Sequence, residues 1–377
     1  MSIPAVKFNM EDRPEFIKEL RKKVNQHFKD NNLSRHANFD MKAKTAFMLA
    51  LYFVPFGLML TGVVTTLWPV MLMWVLMSLG MSGIGLAIMH DANHGSYSSN
   101  QKVNNVLGFL VNFIGAYHTN WKIQHNMLHH SFTNIDGYDS DIEKPIMRFS
   151  PNQKRKKYFR FQAFYAPFFY GLMTIYWFLS KDFESVIKYS KTKLLAKQGI
   201  TLKKAFREVL FNKAWYVALT LGLPIILIAL PWWQVLLGFL MMHFISGLLL
   251  AFIFQSAHVI QETDFYETDP TGGVENNWAI HQMRTTANFA NNSKWFSWLI
   301  GGLNFQIEHH LFPHICHVHY KRISSIVKET AEEFDVPYYQ HKTFFGALRS
   351  HFSLLNQLGT GKYDRLALAA AATKADR

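Results

Sequence analysis

The sequence contains a single cysteine, Cys316, among its 377 residues. One thiol cannot form an intrachain disulfide, so no disulfide framework holds the fold. The His-Glu-x-x-His pattern, which supplies two zinc ligands and a general base, is absent as well. These absences exclude a disulfide-stapled domain and a hydrolase of that zinc type.

Lysine and arginine are missing from two long stretches of the chain. None occurs in 45–100 or in 214–257, although the chain has 39 of them and a formal net charge of +13. Hydrophobic residues make up 49% of the chain, and its mean hydropathy is close to zero. We therefore expect a protein that lies partly in lipid and partly in water. Its cations flank the apolar stretches, which favours anionic lipid headgroups, an acidic redox protein or a phosphate-bearing substrate as partners over nucleic acid.

Four apolar stretches are long enough to be membrane spans, since a helix needs about 20 residues to cross the hydrocarbon core. They lie at about 45–67, 69–89, 214–230 and 232–257. Short turns at Trp68-Pro69 and around Pro231 predict two tight helical hairpins. Every lysine and arginine then falls on one side of the membrane, which the positive-inside rule places in the cytoplasm.

The spans divide the chain into segments with different expected environments. Residues 1–44 form a basic cytoplasmic segment, and 45–257 form the membrane region, with a cytoplasmic insertion at 90–213. Residues 258–365 form a cytoplasmic cap, and the alanine-rich tail, 366–377, is expected to be frayed. The predicted fold class is an all-α integral membrane protein with two transmembrane helical hairpins, a cytoplasmic helical cap and both termini in the cytoplasm.

Two further segments have a helical pattern without a predicted crossing. Apolar residues from Phe16 to Phe28 recur at helical spacing, so this amphipathic helix lies either on the membrane surface or against the polar domain. The apolar stretch 158–179 is expected to be an interfacial or core helix. A crossing there would separate histidine-rich segments that we expect to act together.

Histidine is concentrated in three short segments, which we call the first, second and third histidine boxes. The first is 90–94 (His-Asp-Ala-Asn-His), the second is 125–130 (His-Asn-Met-Leu-His-His), and the third is 306–310 (Gln-Ile-Glu-His-His). His258 adds another imidazole at the end of the fourth predicted span. Because an even number of crossings separates them, all these side chains are expected on one face of the membrane.

The spacing within the first two boxes suits metal ions. His90 and His94 lie four residues apart, as two ligands on one face of a helix do. His125 and His129 repeat that spacing, and His130 points about 100° away, towards a second ion.

Together the boxes offer more imidazoles than one zinc ion, with its four ligands, can use. They suit two ions of a metal such as iron, with room for an open position, and the adjacent His309 and His310 could serve different ions. The candidate ligands are His90, His94, His125, His129, His130, His258, His309 and His310. Candidates for orienting imidazoles from outside the centre are Asp91 and Glu308, and also Asp136, Asp139, Asp141 or Asp264.

These boxes resemble those of the membrane fatty acid desaturases, whose pattern is three histidine boxes placed after two membrane hairpins. The match runs from about Gly85 to Phe345. The glutamine at the head of the third box is similar to that of the front-end group, which desaturates between an existing double bond and the carboxyl end. The segments 278–290 and 316–320 also resemble bacterial and cyanobacterial delta-6 type enzymes.

The resemblance implies an O2-dependent oxidoreductase that introduces a cis double bond into an acyl chain carried by coenzyme A or by a lipid. It also implies a di-iron centre held by the box histidines and His258. The haem-anchoring His-Pro-Gly-Gly motif is absent, so electrons are expected from a separate ferredoxin or cytochrome b-type protein. The expected location is a bacterial inner membrane, with the active site on the cytoplasmic side.

One position departs from the wider family, which often has histidine where Gln306 stands. One direct ligand is therefore expected to be missing, or replaced by the amide or by water. A hydroxylase or epoxidase on the same centre stays open as an alternative, as does a non-enzymatic haem or metal-transporting membrane protein. The spans hold only His243 away from their ends, which counts against a haem-ligating pair. We expect His243 to make an interhelical hydrogen bond, and no role follows for His281.

Overall fold

A computed structural model describes residues 5–366 and 368, and these residues are mostly helical. The predicted frayed tail, 366–377, falls almost entirely outside the described residues, so its fraying stays a prediction.

Four helices are long and apolar enough to cross a membrane, and we call them the first to fourth long helices. They are Phe39–Leu60, Leu67–Asn93, Leu202–Leu227 and Trp232–His258. The first packs along the second, and the fourth packs against both the second and the third. Their number agrees with the four predicted spans, and the protein is accordingly membrane-associated.

The helix boundaries differ from the predicted spans in two places. The first connection is 61–66, so Trp68 and Pro69, the predicted turn, lie in the first turn of the second long helix instead. Proline is accepted there because the first N–H groups of a helix have no intrahelical partner. The third long helix begins at Leu202 rather than near 214, because the helix also includes the charged segment 202–213, which precedes the apolar run.

Gly80 brings the backbones of the first two long helices into contact. A Cβ atom at this position would lie 2.6 Å from the backbone nitrogen of Tyr52. Small residues permit such close approach between membrane helices.

Replacing Gly80 with alanine is therefore expected to destabilise the protein by about 1–3 kcal/mol, because a backbone cannot move aside as a side-chain end can. Gly57→Ala, in the first long helix, is the matched control, since nothing lies within 4 Å of its Cβ position. That change should be neutral or stabilising by up to about 1 kcal/mol. Thermal unfolding midpoints of the two purified variants in detergent provide the comparison, and equal midpoints would contradict the prediction.

The apolar stretch expected to be an interfacial or core helix is broken into short pieces. They are Gln162–Gly171, Met173–Tyr176 and the π-helical turn Trp177–Lys181. The turn continues into the charged helix Asp182–Lys191, and none of these pieces is among the helices long and apolar enough to cross a membrane. One side packs on the fourth long helix, where the Thr174 hydroxyl donates to the His243 carbonyl over 2.8 Å. The opposite side exposes large aromatic side chains, namely Phe161, Phe164 and Phe168.

His243 forms the expected interhelical contact. Its Nε2 atom lies 2.8 Å from the hydroxyl of Tyr216 in the third long helix, and its Nδ1 atom lies 3.0 Å from the hydroxyl of Thr174. Both ring nitrogens are thus satisfied, so this buried imidazole links three segments of the bundle.

The amphipathic helix near the N-terminus is Pro14–Asp30. Its apolar face is fully buried and packs against the helix Tyr320–Glu333 and the third box. The rings of Phe16 and Phe334 lie edge to face, with centroids 5.9 Å apart. Of the two predicted placements, the structure has the helix packed on the polar part of the protein.

The remaining elements are short, except for the 17-residue helix Phe344–Thr360. The α-helices are Gln101–Gly108, His118–Lys122, His130–Phe132, Asp182–Lys191, Leu194–Lys197, Trp278–Thr285, Lys294–Leu299, Gln306–Leu311 and Phe344–Thr360, and the 3₁₀ turns are Phe109–Ile114, Lys157–Phe161 and His317–His319. Lys7–Phe8 pairs with Gly273–Val274 and Ala287–Phe289 pairs with Tyr339–His341, both in parallel, whereas Glu143–Lys144 pairs antiparallel with Met147–Arg148.

Candidate metal centre

The first box lies at the end of the second long helix. A π-helical turn, Ile84–Ile88, precedes it, and His90 lies in the α-helical turn Met89–Asn93. His94 caps this turn, and Gly95 follows with φ of 73°, a left-handed conformation that glycine adopts without strain. The rings of His90 and His94 have centroids 4.9 Å apart, so both face one space, as their spacing predicted.

The second box lies in and just after a π-helical turn, Ile123–His129. Hydrogen bonds in a π-helix run between residues i and i+5, so the turn is wider than an α-helical turn. The structure corrects the predicted pairing of His125 with His129. Nε2 of His125 lies 3.2 Å from Nε2 of His130, whereas His129 joins other imidazoles.

The third box forms the buried helix Gln306–Leu311, and His258 is the last residue of the fourth long helix. The ring of His310 lies between two other imidazoles. Its centroid is 4.7 Å from that of His258 and 4.3 Å from that of His130. The third box therefore approaches the second box and the fourth long helix at the same point.

The eight predicted imidazoles come together in two adjoining groups, within each of which the ligand nitrogens lie within 4.8 Å of one another. The first group is His90, His94, His125 and His309, and the second group is His129, His258 and His310. His130 clusters with both His309 and His310 and so joins the two groups. The adjacent His309 and His310 thus belong to different groups, as their adjacency predicted.

The inward nitrogen atoms fit a metal. Nε2 of His90 lies 3.1 Å from Nε2 of His125, and Nε2 of His130 lies 2.9 Å from Nε2 of His309. Two neutral imidazoles at this distance either share a proton or present two lone pairs to a cation. Three further Nε2 atoms are buried and have no hydrogen-bond partner among the described residues, those of His94, His258 and His310. One cation bound in each group would give these nitrogen atoms a partner.

Burial keeps most of these imidazoles neutral. It lowers the pKa of His125, His130 and His309 well below the usual value, and the neighbouring imidazoles add to the effect. For His129, burial lowers the pKa, but the carboxylates of Asp139 and Asp141 together raise it above the usual value. Neutral imidazoles bind metal without first losing a proton, so the centre is prepared for ligation at neutral pH.

A carboxylate and an amide orient two imidazoles of the second group. Nδ1 of His129 donates to Asp139 over 3.0 Å, and Nδ1 of His310 donates to the side-chain oxygen of Gln282 over 2.7 Å. Holding Nδ1–H outward leaves the Nε2 lone pair facing the centre. Asp139 was among the predicted aspartates. Gln282 was not predicted, and its only sequence signal was its place in the segment 278–290, which resembles delta-6 type enzymes.

Two more imidazoles are held by a carbonyl and a hydroxyl. Nδ1 of His258 donates to the backbone carbonyl of Thr285 over 3.1 Å, and Nδ1 of His309 lies 3.2 Å from the hydroxyl of Tyr320. A backbone carbonyl leaves no signal in the sequence. Tyr320 lies in the segment that resembled delta-6 type enzymes, which was its only sequence signal.

Asp91 lies behind His90 and anchors a chain of buried polar groups. Its Oδ2 accepts from Nδ1 of His317 over 2.8 Å and from the thiol of Cys316 over 3.0 Å. Its Oδ1 lies 3.8 Å from Nδ1 of His90. The ammonium of Lys44 lies 2.7 Å from Nε2 of His317 and extends the chain into the first long helix. Asp91 thus lies beside His90 without a hydrogen bond to it, so its role in orienting His90 stays a prediction. Lys44 had no sequence signal.

Gln306 and Glu308 point in different directions from the third-box helix. Gln306 is buried beside His258, and its side-chain nitrogen has no hydrogen-bond partner among the described residues. It therefore faces the second group, where a ligand was expected to be missing. Glu308 instead accepts hydrogen bonds from Asn288 over 2.8 Å and from Tyr338 over 2.9 Å. These contacts do not support the predicted role of Glu308 in orienting an imidazole.

His281 lies outside both imidazole groups. Its Nε2 donates to the carbonyl of Thr133 over 2.7 Å, at the end of the second box. Its ring packs against Tyr266, with centroids 4.8 Å apart. The segment 278–290 thus supplies Gln282 to the centre, and His281 supports the backbone that follows the box.

Gln282→Leu is expected to weaken metal binding about 10–100-fold, because the Nδ1–H of His310 loses its acceptor and the ring loses its fixed orientation. Metal retained per chain after a graded chelator challenge measures the effect. Gln101→Leu, at an exposed position of the helix Gln101–Gly108, is the control and should retain metal like the unmodified protein. Equal retention in the two variants would contradict the role of Gln282.

The chain is similar to known proteins over most of its length. The family model described as "Fatty acid desaturase" matches residues 66–342. The chain is 35% identical over 347 residues to an sn-1 linoleoyl-lipid 6-desaturase of Arthrospira platensis, covering 91% of this chain and 92% of that protein. An enzyme of the same name from Synechocystis is also 35% identical, over 351 residues covering 91% and 95%. An acyl-lipid (8-3)-desaturase of Physcomitrium patens is 33% identical over 362 residues, covering 93% and 73%.

Proposed function

The chain belongs to the fatty acid desaturase family, and we propose that it is an O2-dependent desaturase that introduces a cis double bond near the carboxyl end of a lipid-bound acyl chain. Membership of the family makes it an oxidoreductase. The observation that carries the proposal is the pair of imidazole groups joined by His130. The names of the relatives support front-end action on acyl-lipids, because they include 6-desaturases and (8-3)-desaturases.

We assign two iron ions to this centre, with the eight imidazoles as ligands. When bound, such a pair supplies the activation of O2 that hydrogen removal from an unactivated methylene requires, and O2 is reduced to water. The inward Nε2 atoms without partners support the assignment. Gln306, beside His258, would hold the position where the wider family often has another histidine, directly or through water.

The protein's own side chains must orient the acyl chain and keep water away from the centre. Trp121 stacks on His125 with centroids 4.4 Å apart, and Phe254 approaches the same imidazole at 6.3 Å. Trp177, from the broken stretch beside the fourth long helix, packs on an apolar cluster that includes Leu250. These aromatic walls would place one carbon–carbon bond of the substrate against the first group.

We further propose that the four long helices form two hairpins across a bacterial inner membrane, with the centre and both termini in the cytoplasm. The uneven distribution of lysine and arginine supports this orientation. Residues 1–44 and 258–365 then lie on the cytoplasmic side, together with 90–213. Electrons would come from a separate ferredoxin or cytochrome b-type protein, for which the excess of cations offers an attractive surface if that donor is acidic.

The experiment that tests the function is expression in a host supplied with defined fatty acids. We expect new double bonds on the carboxyl side of an existing one, located by mass spectrometry of the extracted lipids. A product that gains one oxygen atom instead of losing two hydrogen atoms would identify a hydroxylase. No change in any acyl chain, with metal bound to the purified protein, would overturn the proposed function.

A further inference from the structure

A half-buried lysine without an anionic partner lies at the end of a π-helical turn beside the fourth long helix. Lys181 ends the π-helical turn Trp177–Lys181, and its ammonium lies over the ring of Trp177, 5.1 Å from the centroid. Among the described residues it forms no ion pair within 4 Å and no hydrogen bond. Burial lowers the pKa of Lys181 to about 8, so the group is still charged at neutral pH. An unpaired charge in such a position is costly unless something else approaches it.

A second lysine connects this position to the candidate metal centre. Lys144 donates to the carbonyl of Ser140 over 2.8 Å and lies 4.0 Å from Asp141. Asp141 in turn lies 3.8 Å from Nδ1 of His129. The side chain of Asp141 therefore lies between the Lys144 ammonium and His129, a member of the second imidazole group.

The surroundings of Lys181 have an excess of positive charge. Lys144 and Asp141 are the charged neighbours with the strongest influence on Lys181. The other nearby acids are engaged elsewhere, since Asp182 is paired with Lys213 and Glu184 accepts from the hydroxyl of Tyr176 over 2.6 Å. Lys144 and Lys181 thus have one acidic neighbour in common, Asp141, and its carboxylate also accepts a hydrogen bond from Gln124.

The Lys181 ammonium also lies at the border of the apolar interior. Trp177, whose ring lies beneath the Lys181 ammonium, packs on the cluster that contains Leu250 and Ile253 of the fourth long helix. A ligand with an anionic head and an apolar chain could place its head on the two lysines and direct its chain past Trp177. Fatty acyl chains carried by a phosphate-bearing group have this chemistry.

We propose that Lys144 and Lys181 bind a phosphate of the acyl carrier and so fix how many carbons separate the carrier from the candidate metal centre. The proposal rests on the proposed function. A desaturase that acts near the carboxyl end must hold that end within a few carbon–carbon bonds of its oxidising centre. The chain of contacts from Lys144 through Asp141 to His129 supplies that short separation.

The test uses the full-length, metal-loaded protein with the double change Lys144→Met and Lys181→Met, which keeps side-chain length and removes charge. Linoleoyl-phosphatidylglycerol in nanodiscs and linoleoyl-CoA are supplied separately. We expect kcat/KM to fall about tenfold or more on the substrate whose phosphate is recognised, since charge-assisted hydrogen bonds are lost. We also expect double bonds at neighbouring positions, with metal content unchanged. Loss on the phospholipid alone identifies a lipid phosphate, and loss on the thioester alone identifies coenzyme A.

Two further variants separate recognition of phosphate from general effects of charge. Lys181→Arg keeps a donor and a positive charge and should retain most activity and the original product position. Lys197→Met removes an exposed cation from the nearby helix Leu194–Lys197 and should behave like the unmodified protein. Unchanged kcat/KM and a single product position in the double variant, on both substrates, would overturn the proposal. So would an equal loss in Lys197→Met, or loss of metal from the double variant.

A direct binding measurement distinguishes this proposal from the proposed function. Lysophosphatidylglycerol should raise the thermal unfolding midpoint of the unmodified protein more than that of the double variant, whether or not a double bond is made. If the unmodified protein modifies no acyl chain but this difference remains, the proposed function fails and the phosphate site stands. If desaturation occurs and the difference is absent, the phosphate site fails alone.

Discussion

His130→Ala is expected to abolish double-bond formation and to remove about half or more of the bound metal, because both imidazole groups lose a shared ligand. Nε2 of His130 lies 3.2 Å from that of His125 and 2.9 Å from that of His309. Its ring also stacks on His310, with centroids 4.3 Å apart. His130 thus clusters with His309 of the first group and with His310 of the second. Metal per chain and product by mass spectrometry are measured on the same preparation.

The matched control for this change is His314→Ala. His314 is exposed, lies just beyond the third box and belongs to neither imidazole group. We expect this variant to retain metal and activity. If His130→Ala kept full metal and product, the eight-imidazole centre would have to be abandoned. If both variants failed alike, the loss would reflect damage to the fold.

Lys213→Met is expected to destabilise the protein by about 3–5 kcal/mol, because it leaves the buried carboxylate of Asp182 without its counter-charge. Both side chains of this ion pair are buried. The Lys213 ammonium also donates to the carbonyl of Gly115 over 2.7 Å. Asp182 accepts from the backbone N–H of Tyr117 over 2.8 Å and from the side chain of Asn120 over 2.9 Å. Tyr117 immediately precedes the helix His118–Lys122, which leads into the second box, and Asn120 lies in its first turn. Metal retention should therefore fall together with stability.

Lys203→Met is the control for this second change. Lys203 is an exposed cation in the first turn of the same long helix, where loss of charge should change stability by no more than about 0.5 kcal/mol. Unfolding midpoints in detergent and metal retention under chelator are compared for the two variants. A Lys213→Met protein as stable as Lys203→Met would show that the buried pair contributes nothing to the position of the second box.

Several features could be predicted from the sequence because their signals are local. The absence of lysine and arginine from 45–100 and 214–257, combined with apolar composition, was enough to find four long helices. The spacing of His90 and His94 correctly predicted two imidazoles facing one space. The amphipathic pattern from Phe16 to Phe28 revealed a helix, but periodicity alone does not distinguish a lipid surface from a protein surface. That choice needed the position of the helix Tyr320–Glu333.

Apart from the predicted aspartates, the residues that orient the imidazoles from outside the centre could not be predicted, because they are distant in sequence. Gln282 reaches His310, and Lys44 reaches His317, across 28 and 273 positions of the chain. Each of these residue types is common at surfaces and in loops. Only the fold brings their polar atoms within hydrogen-bond distance.

By itself the sequence determined which residues suit lipid and which suit metal ions. Four stretches are apolar, and the three boxes together with His258 supply eight imidazoles. The tertiary structure alone decided how those imidazoles are shared. A period of 3.6 residues paired His125 with His129, whereas the wider π-helical turn brings His125 to His130 and sends His129 to the other group. Side-chain type is encoded residue by residue, but the width of a helical turn depends on the packing around it, and that packing exists only in the folded protein.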